Sequence, residues 1–153
     1  MMVLLLSLGL VCVDQASKAW VTKAFALGES VPVIPGFFNF TYVRNTGAAW
    51  GTFGGSTGML AALSVAVLLV LIIFRRSFLT DSLAHRVALG LMISGIAGNL
   101  LDRIRLRYVV DFFDFYCRNH HFAVFNVADS AICVGVGLYL LSALLAPPDK
   151  PLK

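Results

Sequence analysis

Residues 122–146 read FAVFNVADSAICVGVGLYLLSALLA, an apolar run that contains one charged side chain, Asp129. Runs of this length and composition are typical of helices that span a membrane, which need about 20 residues. A charge at the centre of such a helix costs roughly 2.5–3.5 kcal/mol. Because no basic residue lies within one helical turn of Asp129, the sequence predicts that its carboxyl group is protonated or paired across a helix bundle.

Three further apolar segments precede this run, at residues 1–26, 57–74 and 87–103. The chain is 59% hydrophobic and 13% charged, whereas a soluble domain carries about 25% charged residues. This composition excludes a soluble globular domain. We predict an all-α membrane protein, a single membrane-embedded domain over residues 1–153 with a bundle of four transmembrane helices. Glycines in the third segment, at positions 90, 95 and 98, predict close helix packing.

The long connections between these segments carry a second pattern. Aromatic and polar residues alternate over residues 38–42, as in a β-strand, and a glycine-rich turn region follows. We therefore predict a small β-sheet cradle over residues 30–56 at the membrane surface. Residues 105–121 mix aromatic with charged side chains and are predicted as an interfacial segment.

Charge and cysteine content restrict the partners of the chain. The net charge of +4 suits an anionic lipid surface, and no run of basic residues indicates nucleic-acid binding. Cys12, Cys117 and Cys133 lack the spacing of metal ligands. We expect membrane lipids as partners, and neither nucleic acid nor a metal ion.

Charge counting leaves the orientation open. With four spans, both termini share one side of the membrane with residues 75–86. The distribution of Lys and Arg mildly favours the opposite side for the cytoplasm. However, Lys18, Arg44 and Arg103 do not report on orientation if they are bound within the protein.

Several polar residues converge on one face of the predicted membrane bundle. In the four-span arrangement Asp14, Asp102 and Asp129 lie toward the same side as the loops with Asn45 and Asp111, a pattern that indicates a functional site. Helical spacing places polar residues on common faces; the groups are Asp14 with Lys18, Asn99 with Asp102 and Arg103, and Asn126 with Asp129.

Structural interpretations compete with functional ones at most of these positions. For Asp14 and Lys18 an ion pair at a helix end is the favoured interpretation. An Asp102–Arg103 pair that closes the third helix is as plausible as a functional role, and Asp114 is best explained as a loop charge. Two neighbouring carboxyl groups that share a proton can activate a water and protonate a peptide carbonyl. The residues therefore favour an aspartic peptidase, with Asp102 and Asp111 both open as partners of Asp129.

Five sequence blocks in this order resemble the lipoprotein signal peptidases, the type II signal peptidases of bacterial membranes. They are Asp14–Lys18, Arg44–Gly51, Gly95–Arg103, Val109–Phe113 and Phe125–Ser130. In one place the chain departs from the family pattern, since Ser94 stands where a glycine is usual. Serine is also small, so no loss of function is expected.

The resemblance implies an intramembrane aspartic endopeptidase with Asp111 and Asp129 as the catalytic dyad. It implies substrate binding or site support for nine more residues: Asp14, Lys18, Asn45, Gly47, Asn99, Asp102, Arg103, Asn126 and Ala128. Asn45 and Arg103 are expected to bind backbone carbonyls of the substrate. The aromatic strand and residues 47–58 are expected to form a lid.

The implied substrate is a bacterial prolipoprotein whose cysteine carries a diacylglyceryl group, with cleavage just before that cysteine. No cofactor is expected, and the enzyme is expected to act as a monomer. The resemblance places it in the cytoplasmic (inner) membrane as a multi-pass protein, with the active site and β-sheet cradle extracytoplasmic and both termini cytoplasmic.

Two other classes of function fit the polar residues alone. In a small transporter or channel, Asp14, Asp102 and Asp129 form a path for protons or cations, and activity depends on a gradient. In a non-catalytic assembly subunit the charges connect helices, and asparagine at positions 111 and 129 is tolerated.

Overall fold

The computed structural model describes residues 1–48, 52–78, 82–118 and 120–145. The helices are α1 (Met2–Ala24), α2 (Thr57–Ile73), α3 (Arg75–Phe78), α4 (Leu83–Leu106) and α5 (Val127–Leu144). The strands are β1 (Ser30–Ile34), β2 (Phe38–Asn45), β3 (Val109–Cys117) and β4 (His120–His121).

Three helices, α1, α4 and α5, are long and apolar enough to cross a membrane. Helix α2 is apolar but has 17 residues, so it is about 25 Å long. Large apolar side chains lie exposed along all four helices, for example Leu8, Leu63, Ile104 and Leu140, as expected of surfaces that face lipid. The prediction of a mainly helical membrane protein with a small sheet is confirmed.

Helix α4 is the centre of the bundle, because half of its spanning residues are buried against 17% in α1 and in α5. Glycines allow this packing, as predicted. A Cβ atom on Gly98 would lie 2.6 Å from Oδ2 of Asp14, and a Cβ atom on Gly95 would lie 2.6 Å from Cγ1 of Ile132. The backbones of α1, α4 and α5 can therefore approach closely.

The sheet is antiparallel with the strand order β1-β2-β3-β4, and half of it comes from outside the predicted cradle. Residues 109–121, predicted as an interfacial segment, form β3 and β4. Strand β3 lacks alternation because Val109, Val110, Asp111 and Phe112 are all buried, and a strand buried on both faces shows no period of two. Of the predicted lid, residues 49–51 lie outside the described residues.

Helix α5 begins at Val127, and the residues before it continue the pairing of the sheet. The Phe125 N–H donates to the carbonyl of Phe113 at 3.1 Å, and the Phe113 N–H donates to Phe125 at 2.7 Å. Asn126 then caps the helix: its Oδ1 accepts the Asp129 N–H at 2.9 Å, and Asp129 Oδ2 accepts the Asn126 N–H at 3.1 Å. Asp129 thus lies in the first helical turn and not at the centre of an apolar helix.

Candidate active site

Asn126 joins Asp111 and Asp129, which come from different elements of the fold. Asp111 lies on β3 opposite Val43 of β2, and Asp129 lies in the first turn of α5. The Nδ2 atom of Asn126 donates to Asp111 Oδ1 at 2.6 Å, while its backbone N–H donates to Asp129 Oδ2. The residue that starts α5 therefore holds both carboxyl groups.

Amide groups bind the remaining oxygens of the two carboxyl groups. Asn45 Nδ2 donates to Asp111 Oδ2 at 2.9 Å, and Asn99 Nδ2 donates to Asp129 Oδ1 at 2.8 Å. The ion pairs found among the described residues involve other acids, namely Asp14, Asp102 and Asp114. Asp111 and Asp129 are thus held by neutral donors and keep the freedom to exchange a proton.

The environment of Asp111 favours its protonated form. Burial raises the pKa of this carboxyl group to about 7, and the negative charge of Asp129 adds to the effect. Hydrogen bonds from Asn45 and Asn126 and the charge of Lys18 act in the opposite direction. Near neutral pH the pair can therefore hold one proton, as a general acid–base pair requires.

A second layer of charged residues lies behind the pair, centred on Lys18. The Lys18 ammonium group contacts Asp14 Oδ2 at 2.9 Å, Asp102 Oδ2 at 3.0 Å and Asn99 Oδ1 at 3.0 Å. An ammonium group has three N–H donors, and each meets one of these acceptors. Gln15, which the sequence prediction missed, bridges Asp14 and Asp102 through Nε2 at 3.1 and 3.0 Å.

Asp14 and Asp102 each bind the backbone immediately before one of the paired acids. Asp14 Oδ1 accepts the N–H of Ala128 at 3.0 Å, and Asp102 Oδ2 accepts the N–H of Val110 at 3.2 Å. Asp102 therefore pairs with Lys18 and the Val110 N–H, whereas Asn126 joins Asp111 to Asp129. Of the two interpretations of Asp102 and Arg103, a pair between them that closes the helix is not found among the described residues, because Asp102 faces α1 and pairs with Lys18.

Arg103 and Asn45 contact the loop that follows β2. Arg103 Nη2 donates to the carbonyl of Gly47 at 3.2 Å, and the Gly47 N–H donates to Asn45 Oδ1 at 2.9 Å. Asn45 Nδ2 also lies 3.3 Å from the carbonyl oxygen of Ala48. All eleven predicted site residues therefore belong to one connected network around Asp111 and Asp129.

Asp114 belongs to a different cluster, on the sheet. It is buried and accepts hydrogen bonds from Thr41 at 2.8 Å, Asn39 at 3.4 Å and the ring of His121 at 2.8 Å. Burial would raise the pKa of Asp114, but the bonds from His121 and Thr41 outweigh it and hold the pKa below its usual range. The interpretation of Asp114 as a loop charge was wrong. Asp111 and Asp114 are three residues apart on one strand, and residues an odd number apart lie on opposite faces. This spacing could have shown that Asp114 lies away from Asp111.

A cavity of about 380 Å³ opens onto the paired acids. Asn45, Asn99, Arg103, Asp111 and Asp129 supply its polar lining. Its other walls are mainly apolar and include Val109, Phe122, Val124, Phe125 and Ile132. Among the residues that the structure describes, no group of three His, Cys, Asp or Glu side chains is placed to hold a metal ion. The cavity therefore joins a polar patch that contains both acids to mainly apolar walls.

Comparison with known proteins gives the family. The profile of the family described as signal peptidase (SPase) II matches residues 6–145. The chain belongs to the signal peptidase II family. A lipoprotein signal peptidase of a Nostoc species is 46% identical over 138 residues, 90% of this chain and 86% of that protein. A lipoprotein signal peptidase of Shewanella sediminis is 46% identical over 136 residues, which cover 86% of this chain and 77% of that protein.

Two solved structures of bacterial membrane enzymes share the fold of this chain. A bacterial membrane enzyme superposes with a TM-score of 0.88 at 32% identity, over 99% of this chain and 94% of its own. A second bacterial membrane enzyme gives a TM-score of 0.84 over 95% of this chain and 94% of its own. The chain is therefore a membrane protease that removes signal peptides.

Proposed function

We propose that this enzyme cuts diacylglyceryl-modified prolipoproteins immediately before the lipidated cysteine, with Asp111 and Asp129 as its catalytic dyad. The observation that carries the proposal is the single residue, Asn126, that binds both carboxyl groups. Asp14 and Asp102, the other buried acids near the cavity, both pair with the Lys18 ammonium group. Asp111 and Asp129 instead bind neutral donors, which supports them as the pair that transfers a proton.

The reaction follows from two carboxyl groups that share one proton. The ionised carboxylate takes a proton from water, whose oxygen attacks the scissile carbonyl carbon, while the carboxylic acid protonates the carbonyl oxygen. The resulting gem-diol then collapses: the dyad returns a proton to the amide nitrogen and the C–N bond breaks. The signal peptide leaves with a new carboxyl terminus, and the lipidated cysteine gains a free amino group.

The surrounding residues hold the substrate and the dyad in place. Asn45 and Arg103 bind the backbone of the extended substrate, exchanging contacts with the loop at Gly47 and Ala48 for contacts with substrate carbonyls. Asn99 and Asn126 orient the dyad, while Asp14, Lys18 and Asp102 fix Ala128 and Val110. The apolar cavity walls accept the lipid-bearing cysteine, whose acyl chains remain in the bilayer.

The arrangement in the membrane completes the proposal. All of α1, α2, α4 and α5 cross the bilayer, and α2 spans it near its lower length limit. The sheet and the dyad lie at the extracytoplasmic side of the bacterial cytoplasmic membrane, and both termini are cytoplasmic. Residues 1–153 act as one peptidase domain and as a monomer.

A transporter that uses Asp14, Asp102 and Asp129 as a proton path is not favoured. Asp14 and Asp102 each bind Lys18, Gln15 and a backbone N–H. Proton transfer through either residue would disrupt the network that holds the bundle together.

Cleavage of matched substrates tests the proposal. Purified enzyme in detergent with a metal chelator is given one prolipoprotein in two forms, with and without the diacylglyceryl group on its cysteine. We expect cleavage of the lipidated form before the cysteine, and little of the other form. Cleavage that requires an added metal ion, or equal cleavage of both forms, would contradict the proposal.

A further inference from the structure

A second cavity, of about 460 Å³, lies between α1, the end of α4 and the sheet. Its size falls within the range of roughly 300–1,000 Å³ typical of ligand sites. Lys18 and Asp102 form part of its wall, whereas Asn99, to which Lys18 donates, lines the catalytic cavity. The two cavities are therefore distinct, and the reaction described above makes no use of the second.

The geometry of Arg44 at this cavity is suited to binding an anion. The guanidinium carbon of Arg44 lies 4.8 Å from the ring centre of Tyr108 and 5.7 Å from that of Tyr42. Its Nε donates to the Tyr42 hydroxyl group at 3.0 Å. Stacking and this bond fix the guanidinium plane, while the two terminal nitrogens have no hydrogen-bond acceptor among the described residues. A fixed guanidinium group with free terminal N–H groups matches a phosphate.

Arg105 adds a second positive charge to the same cavity. It is exposed at the end of α4 and makes no side-chain hydrogen bond or ion pair with the described residues. Of the other charges in the wall, Lys18 and Asp102 are buried and paired with each other. The charge that faces a ligand therefore comes from Arg44 and Arg105.

The rim of the cavity is partly apolar and carries the features of a membrane interface. Leu27 and Leu106 line it, and both are exposed. On the adjoining surface of α1, Trp20 is half exposed and packs edge-on against Phe25 and Phe40 at 5.5 and 5.6 Å. Tryptophan and tyrosine concentrate at the level of lipid headgroups. Basic groups beside exposed leucines fit an amphiphilic ligand better than an acidic peptide.

We propose that this second cavity binds a phosphate group, with Arg44 and Arg105 as its donors, and that an anionic phospholipid supplies the phosphate. The headgroup occupies the cavity and the acyl chains lie along the exposed faces of α1 and α4. Basic pockets between membrane helices recognise anionic headgroups in this manner. The site is separate from the dyad and does not depend on the proposed reaction.

Native mass spectrometry of the full chain in detergent tests this proposal. The probes are phosphatidylglycerol and a diacylglycerol with the same acyl chains, which lacks the phosphate. We expect one retained phosphatidylglycerol per protein and no retained diacylglycerol. Binding should weaken about thirtyfold in an Arg44→Gln/Arg105→Gln double variant, because two basic groups near the headgroup are lost. Arg107→Gln is the control, since Arg107 is exposed directly after α4, two residues beyond Arg105, but does not line the cavity.

Three outcomes decide whether the second cavity binds the phosphate of a phospholipid. Loss in the double variant alone supports the phosphate site, and failure of glycerol 3-phosphate to displace the lipid assigns the phosphate to a phospholipid. If glycerol 3-phosphate displaces the lipid at a concentration similar to that of the lipid, the cavity still binds a phosphate. Its ligand is then a soluble phosphate and not a phospholipid. Equal retention of diacylglycerol, or equal loss in Arg107→Gln, would overturn the proposal in favour of unspecific lipid adhesion.

Discussion

The side-chain amide of Asn126 lies 2.6 Å from Oδ1 of Asp111. Asn126 also caps helix α5 through Asp129, so the start of the helix and the position of the proposed dyad both depend on this residue. Local capping fixes Asp129. The pairing of Phe113 with Phe125 and the hydrogen bonds from Asn126 to Val110 and Asp111 place Asp111 beside it.

The first prediction concerns the pH dependence of cleavage. The pKa of Asp111 is about 7, so the dyad loses its shared proton as the pH rises through about 7 and activity falls on the alkaline side. Asn45 stabilises the ionised form of Asp111. Asn45→Ala therefore raises the pKa further and moves the alkaline limit of kcat/KM to higher pH.

The control for this experiment is Asn39→Ala, because Asn39 lies on the same strand and contacts Asp114 instead. Its pH profile should match that of the wild type. An alkaline limit that stays in place in Asn45→Ala, or moves to lower pH, would show that Asp111 does not control it.

The second prediction concerns the buried charge network. Lys18→Met leaves the carboxyl groups of Asp14 and Asp102 buried without their cation, which costs about 3–5 kcal/mol. Lys23→Met removes a lysine from an exposed position of the same helix and should change stability by less than about 0.5 kcal/mol. Thermal unfolding in detergent compares the two variants. Equal unfolding temperatures would mean that the pairing of Lys18 with the two acids does not stabilise the fold.

The third prediction concerns helix packing. A methyl group at Gly98 would lie within 3.1 Å of the Asp14 carboxyl carbon, so Gly98→Ala displaces Asp14 from Lys18 and Ala128 and lowers both stability and cleavage. Gly137 on α5 has open space around its position. Gly137→Ala should stabilise α5 by up to about 1 kcal/mol through helix propensity. Thermal unfolding and cleavage rates of both variants check this, and a Gly98→Ala enzyme with wild-type values would contradict the packing described here.

The fourth prediction concerns orientation. Cys117 is exposed at the end of β3, whereas Cys12 and Cys133 lie on membrane helices. In a Cys12→Ala/Cys133→Ala variant, a membrane-impermeant thiol reagent should label Cys117 in cells whose cytoplasmic membrane is intact. Labelling only after that membrane is opened would place the sheet in the cytoplasm.

Sequence patterns predicted the long helices well, because a long apolar segment in a membrane must satisfy its backbone hydrogen bonds within a helix. They predicted the half of the sheet that contains β2, because aromatic and polar residues alternate along that strand. They missed β3, because it is buried on both faces and its residues do not alternate. The boundary of α5 depended on a tertiary contact, the pairing of Phe125 with Phe113. Hydropathy alone predicted an apolar segment from residue 122, whereas α5 begins at Val127, after that contact.

The sequence predicted which residues belong to the site, but not which of them bond to each other. Helical spacing identified Asn99 with Asp102 and Asn126 with Asp129, and family motifs singled out Asp111. Spacing could not reveal that Asp102 pairs with Lys18 of α1, because that choice depends on how α4 faces α1. The bonds of Gln15 to Asp102 and of Thr41 to Asp114 were missed for the same reason, since these partners lie 87 and 73 residues apart in the chain.

The most direct test of the account is cleavage of a lipidated prolipoprotein by Asp111→Asn and Asp129→Asn, with Asp114→Asn as a control from the same strand. Asparagine keeps the size of the side chain and removes the titratable proton. We expect all three variants to fold, the two dyad variants to lose about a thousandfold or more in rate, and Asp114→Asn to keep most of its activity. Near-normal cleavage by either folded dyad variant would contradict the assignment of Asp111 and Asp129.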